Sequence, residues 1–351
     1  MKPVRLGTRP SALATRQANW TREALEKLGT KVEIVKIETT GDVDRSESIA
    51  NLGAQGVFTK EIQRALLSGE IDVAAHSLKD LPVEKIPGLR LSAVPEREDP
   101  RDVLVSNKYK SLEELPRNAI VGTSSARRKS MLLRRAAKQF PDAEPPAWDV
   151  RDIRGNVETR LRKLDDGEFD ALVLASAGLN RLGLGDRAVS FLEAPDFLPA
   201  VGQGALGLET REDDAETIEQ IERLVSEPTF LCVLAERAML AELRGGCIAP
   251  IGAKGSFVRL DDGTELLALE AQILSFDGLK SFQTTSIQTL DPKKFGGSLP
   301  FETQKGLAEL LGKGAAQALI EQGASELVEE IGRARIERDE KLRKRSRAPE
   351  R

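Results

Sequence analysis

The sequence is poor in the side chains that most often build metal and redox centres. It carries one histidine, His76, and two cysteines, Cys232 and Cys247, in 351 residues. One imidazole cannot assemble a multi-histidine metal site, and the two thiols form no CxxC pair, so zinc and iron–sulfur frameworks are excluded. Aromatic residues are 4%, against 40% hydrophobic and 31% charged, an ordinary balance for a folded chain rather than a disordered one. No run approaches the ~18 consecutive apolar residues of a membrane span. The first residues, Met1 to Arg9, carry charge without the apolar stretch of a signal peptide. Few cysteines fit a reducing compartment, so a cytoplasmic location is expected. Neither charge sign dominates: 52 Lys and Arg face 56 Asp and Glu, a net charge of −4 that argues against chain-wide affinity for nucleic acid or an acidic membrane.

The length predicts two or three domains. Over the first part of the chain, short apolar runs alternate with helical patterns, the mark of α/β layers. Val32–Ile37 and Ile71–His76 read as strands, with Phe58, Ile62, Ala65 and Leu66 at helical spacing between them. The Pro- and charge-rich stretch Val94–Arg101 reads as a crossing between domains, after which the cycle restarts with Ala119–Val121, a helix from Ala126 to Gln139, and the apolar strand Ala171–Ala175. Pro195 to Gly204 marks a second crossing. A long helix from Asp214 to Leu243, strands near 251–258, 265–275 and 281–290, and a helix over 302–332 then form a separate α+β unit. The expected domains are 1–99 with 200–221, 100–199, and 222–335. The tail, Arg333 to Arg351, holds nine Lys or Arg and four Asp or Glu; it reads as a frayed helix extension or, over 336–351, a disordered basic segment.

Several turns could carry chemistry. In Gly122-Thr123-Ser124-Ser125-Ala126-Arg127-Arg128, two hydroxyls at a helix start can cap orphan N–H groups, and the adjacent guanidiniums suit carboxylate or phosphate. Read alone, this is equally a capped helix with solvated arginines. Arg151, Arg154, Gly155, Asn156 and Arg160 form a second basic turn where a strand hands over to a helix, the usual ligand edge of an α/β sheet. Arg181, and Arg9 with Ser11, follow other strands in the same way. Together these turns predict a cleft for a ligand with several negative groups. Asp80, beside Lys79 at the end of a strand, weakens passive anion binding and favours acid–base work there, although an exposed ion pair is the plainer reading. His76 reads as structural. Gly245-Gly246-Cys247 presents a thiol on an open turn, or buries a small apolar side chain; Cys232 reads as the latter.

Six motifs, in order, resemble the porphobilinogen deaminase (hydroxymethylbilane synthase) family: Gly7-Thr8-Arg9-Pro10-Ser11-Ala12-Leu13-Ala14, His76-Ser77-Leu78-Lys79-Asp80-Leu81-Pro82, Gly122 to Arg128, Ile153-Arg154-Gly155-Asn156-Val157, Leu198-Pro199-Ala200-Val201-Gly202-Gln203-Gly204-Ala205, and Gly245-Gly246-Cys247-Ile248-Ala249-Pro250-Ile251-Gly252. The resemblance runs from about residue 4 to residue 331. It implies two α/β domains related to type II periplasmic binding proteins, a cleft between them, and a smaller α+β domain whose cysteine holds a dipyrromethane cofactor by a thioether. It further implies head-to-tail condensation of four porphobilinogens, each losing ammonia, and release of hydroxymethylbilane by hydrolysis in tetrapyrrole (porphyrin, haem) biosynthesis.

By that resemblance Asp80 is the essential acid and Lys79 the active-site lysine. Cys247 is the attachment site, with Lys79, Asp80, Ser124, Ser125, Arg127 and Arg128 also holding the cofactor. Arg9, Ser11, Gln17, Phe58, Arg154, Arg160, Arg181 and Gln203 fall on substrate-binding positions. One departure stands out: Gln55 lies where family members commonly carry lysine. The expected partner is porphobilinogen alone, bound by a monomer without metal, nucleic acid or membrane. Two competing readings remain at this stage: a passive anion-binding protein on the same two-lobed scaffold, and an RNA-associated protein acting through its tail.

Overall fold

The computed structural model describes residues 3–39, 59–142, 144, 146–244, 249–291 and 299–345. Strands β1 (Val4–Thr8), β2 (Val32–Lys36), β3 (Val73–Ser77), β4 (Leu89–Ala93) and β10 (Leu206–Arg211) form the first sheet, in the order β2-β1-β3-β10-β4. The second sheet holds β5 (Asp102–Val105), β6 (Ile120–Gly122), β7 (Asp149–Arg151), β8 (Ala171–Ala175) and β9 (Ser190–Leu192), in the order β7-β6-β8-β5-β9. In each sheet three neighbours run parallel, and the strand that follows a crossing enters antiparallel: β10 between β3 and β4, β5 between β8 and β9. This pair of mixed sheets, exchanging chain at both crossings, forms two α/β lobes of like strand order. The apolar run at β8 is therefore buried in a mixed sheet, parallel to β6 and antiparallel to β5, rather than in a wholly parallel one.

The third unit packs the antiparallel sheet β11 (Ile251–Arg259), β12 (Glu265–Leu274) and β13 (Ser281–Leu290) against helices Glu227–Glu242 and Phe301–Leu319. Its core includes Leu231, Met239, Leu267, Leu269, Ile273 and Leu319. Two expectations need correction. The single helix over 214–243 is two, Ala215–Glu222 and Glu227–Glu242, because Pro228, lacking an N–H, belongs in a first turn and restarts the helix. The segment expected to be disordered from 336 is helical as far as Arg345, within helix Ser325–Arg345. Its Glu, Lys and Arg residues are good helix formers, and Arg333 meets Glu329 at helical spacing.

A buried ion pair ties the third unit to both crossings. Glu236, on helix Glu227–Glu242 and fully buried, receives Arg97 Nη1 at 2.6 Å and Nη2 at 3.1 Å. The same carboxylate accepts the backbone N–H of Gly202 at 2.7 Å and of Gly255 at 2.8 Å, while Arg97 Nε donates to the Gln203 carbonyl at 2.7 Å. Replacing Glu236 with Ala strands a buried guanidinium and two N–H groups. The expected cost is about 3–5 kcal/mol, read as a loss of unfolding free energy in denaturant. A change under 1 kcal/mol (about the value of a surface pair) would show that the pair is not a structural tie.

Candidate functional site

The predicted turns converge because each follows the carboxyl end of a parallel strand, where the two lobes face each other. The segment after β3, Leu78–Asp80, is a single 3-10 turn. Leu78, at its start, and Leu81, just past its end, are buried with Val94, Ala205, Phe230 and Val233, so the turn is held by apolar contacts from the first crossing, the residue ahead of β10 and the third unit. Arg237 adds donors to the carbonyls of Leu81 at 2.9 Å and Pro82 at 2.6 Å. Gly202 has φ +69°, and a Cβ there would meet the Leu78–Lys79 backbone at 3.3 Å; only glycine lets the second crossing lie this close to the turn.

Lys79 and Asp80 thereby line a cavity of about 210 Å³ together with Ser124, Ser125, Arg127, Arg128, Arg160 and Gln203. Leu240, Ala249 and Ile251 of the third unit close its floor. Ser125 caps helix Ala126–Gln139, accepting the Arg128 N–H at 3.4 Å, and the Ser124 hydroxyl donates to the Ile153 carbonyl. Asn156 caps helix Val157–Asp165, which carries Arg160. Gly155 before it has φ +107°, beyond what a side chain tolerates.

The arginines divide into two kinds. Arg127 and Arg128 are buried and share one carboxylate, Asp102, at the start of β5. Arg127 Nη1 reaches it at 2.7 Å, and Arg128 reaches it through Nε at 3.0 Å and Nη2 at 2.8 Å. Gln203 Nε2 donates to the same carboxylate at 2.7 Å. Burial alone would raise the Asp102 carboxyl, but the two guanidiniums outweigh it and hold it well below the usual carboxylate range. Two cations against one anion leave the cluster with a net positive charge.

Arg160 and Arg154 supply charge of a more available kind. Arg160 donates Nε to the Gly155 carbonyl at 2.9 Å. Burial, then the neighbouring cations Arg128 and Arg154, push its guanidinium down to about 10, still charged at neutral pH. Arg154 pairs with Asp152, yet its Nη1 is buried without a hydrogen-bond partner. Lys79 is pushed down to about 8, chiefly by burial; Asp80 opposes the shift and Arg128 adds to it. An array of cations short of anions, around one carboxylate, is built for a polyanionic ligand that also needs an acid or a counter-charge.

Other predicted residues do not line this cavity. Ser11 caps helix Ala12–Lys27, Gln17 on that helix donates Nε2 to the Ser77 hydroxyl at 2.8 Å, and Arg9 follows β1 half-buried. Arg181, at the end of helix Ser176–Arg181, donates to the Gly204 carbonyl at 2.7 Å, and burial lowers its pKa. Phe58, Cys247 and Gln55 lie outside the described residues. Sequence reading missed Asp102 and Glu236. The available signal for Asp102 was an acid opening an apolar strand directly after a crossing; Glu236, inside a helical pattern, gave none.

The cavity fits a dipyrrole whose rings each carry an acetate and a propionate. It offers cations from three turns, the Ser124 and Ser125 hydroxyls, an orphaned Arg154 N–H nearby, and Asp80 as acceptor for a pyrrole N–H.

Comparison with known proteins covers most of the chain. Residues 4–219 match the family model described as porphobilinogen deaminase, dipyromethane cofactor binding domain, and residues 230–321 match that of the porphobilinogen deaminase C-terminal domain. The porphobilinogen deaminase of Shouchella clausii is 45% identical over 330 residues, covering 93% of this chain and 99% of the relative. That of Syntrophobacter fumaroxidans is 42% identical over 333 residues, covering 94% and 98%. Among solved structures, a periplasmic substrate-binding protein of an ABC transporter from Coxiella burnetii aligns with a TM-score of 0.39 and 18% identity, covering 66% of this chain and 94% of that one. With both family models matched in order around the two-lobed cleft, the chain belongs to the porphobilinogen deaminase family.

Proposed function

We propose that the chain is a hydroxymethylbilane synthase that joins four porphobilinogens head to tail on a dipyrromethane primer and then releases the linear product by hydrolysis. The observation that carries the reading is the convergence of Asp80, Lys79, Arg128 and Arg160 on one cavity closed by the third unit. When bound, dipyrromethane supplies the free pyrrole carbon to which the first substrate ring is joined. In each cycle the aminomethyl C–N bond breaks, ammonia leaves, a C–C bond forms, and the attacked ring carbon gives up its hydrogen as a proton.

Asp80 serves both halves of this cycle. Its carboxylate faces the positive charge that develops on the substrate pyrrole as the amine departs, and it can hold the proton that moves. Arg128, Arg160, Arg154 and Lys79 bind ring carboxylates. Arg127, tied to Asp102 and the Leu198 carbonyl, braces Arg128. Arg9, Ser11, Gln17, Phe58, Arg181 and Gln203 complete the substrate path.

The attachment residue is Cys247. Ala249, two positions further along the sequence, lines the cavity. A reduced thiol is needed for attachment, which supports a cytoplasmic location. We further propose that the chain acts as a monomer, with porphobilinogen as its substrate. Among the described residues, no helix is long and apolar enough to cross a membrane.

The test is incubation with porphobilinogen. One ammonia per porphobilinogen consumed, with hydroxymethylbilane as the product, is expected; binding without ammonia release overturns the reading in favour of a passive binder. The Lys79 pKa gives a second expectation. Because burial lowers it to about 8, the ammonium is charged below that pH and neutral above it. The value of kcat/KM then falls by about tenfold per pH unit on the alkaline side of 8. Lys79→Arg, charged throughout, should remove that limb. A limb unchanged in Lys79→Arg would assign it to another group.

A further inference from the structure

The sole histidine is outside the cavity wall, and the steps above do not use it. His76 is buried one residue before the end of β3, with Nε2 2.9 Å from the Glu209 carboxylate of β10. His76 lies opposite Gly207, and Ala74 opposite Glu209, so all four share one face of the sheet. The two small residues leave room for the larger two to meet on the diagonal. From the helix Lys60–Leu67 above, Gln63 donates Nε2 to the two Glu209 oxygens at 3.0 and 3.3 Å. The packing around this polar trio is apolar, with Ile62, Leu66 and Ala74 buried beside it.

A buried carboxylate in such surroundings carries a large desolvation cost, and apolar side chains would fill the space at none. What the polar trio adds is a specific contact: His76 Nε2 lies 2.9 Å from the Glu209 carboxylate, outside hydrogen-bond geometry, and Gln63 holds the same carboxylate, whereas apolar packing tolerates sliding. Here the fixed point is immediately upstream of the catalytic turn. Leu78 N–H also donates to the Ala205 carbonyl at 3.0 Å, just ahead of β10, so the chain on both sides of Ser77 is registered against β10 and the residue leading into it.

We propose that His76 and Glu209 are positioning residues, locking the end of β3 to β10 so that Lys79 and Asp80 enter the cavity at one fixed height. The proposal rests on the deaminase reading above. Steady-state kinetics per folded molecule, on the full chain carrying its cofactor, tests it. His76→Leu fills the volume without the polar contact and should lower kcat by about tenfold or more while leaving KM within about twofold. His76→Gln, whose amide reaches Glu209, should recover most of the loss. If His76→Leu does not fold, Glu209→Met breaks the same link from β10 and should show the same split.

A kcat within twofold of the parent in either folded variant overturns the proposal, as does a loss that falls on KM or that His76→Gln does not recover. A parent chain that does not consume porphobilinogen overturns the deaminase reading, and this one with it. An active parent with indifferent variants overturns the positioning role alone.

Discussion

Replacing Asp80 with Asn leaves the fold and the bound cofactor in place and lowers kcat by about 10²–10⁴-fold. The fold survives because the backbone of the turn does not depend on the carboxylate: Leu78 and Leu81 are anchored in the core and Arg237 holds the Leu81 and Pro82 carbonyls. The cofactor survives because the arginines proposed to grip its carboxylates lie on other turns. Asn keeps the shape and one acceptor oxygen but loses the negative charge and the capacity to take a proton, so the loss falls on the reacting complex rather than on binding. Single-turnover measurement of ammonia release, alongside intact mass, separates the two. A variant releasing ammonia at the parent rate would show that Asp80 is a surface acid and that the arginines alone account for the chemistry.

The Cys247→Ser change should abolish the covalent adduct, leaving an intact mass equal to the bare polypeptide and turnover below detection. A soft thiolate captures an electron-poor pyrrole methylene far better than a hydroxyl does. The second cysteine offers no substitute. Cys232 is buried in the core of the third unit, where burial and the neighbouring Glu236 push its thiol up to about 12, and the β-sheet backbone at Gly255 packs directly over it. An active parent whose Cys247 is an unmodified thiol, or a Cys247→Ser variant that retains the adduct, would refute the assignment.

What the sequence disclosed follows from which physics is local. Turns such as Gly122–Arg128 and Ile153–Asn156 advertise themselves through glycine, capping hydroxyls and asparagine, because those residues act on their own backbone. The long strands of the third unit were legible for the same reason: their patterns span nine or ten residues. Strands β4, β5, β9 and β10 gave less signal, being short and defined by partners far along the chain. Charge pairing was the least legible. Arg127 reads as a free cation beside Arg128, yet its partner Asp102 is 25 positions upstream, and only the folded crossing brings them together. In the same way, Arg97 and Glu236 are 139 positions apart.

The exchange of strands at the two crossings also sets an order of assembly. The first sheet begins at Val4 but lacks its fourth neighbour until β10, Leu206–Arg211, has been made, whereas the second sheet is contiguous from Asp102 to Leu192. The lobe synthesised second can therefore close first, and the lobe synthesised first waits with the inner edge of β3 unpaired. That edge is the one that carries His76 and leads into the catalytic turn, and an open strand edge is a template for pairing with another chain. A nascent chain stalled anywhere between the two crossings would expose it, which makes the stretch of synthesis up to Arg211 the interval when the protein is most prone to aggregate.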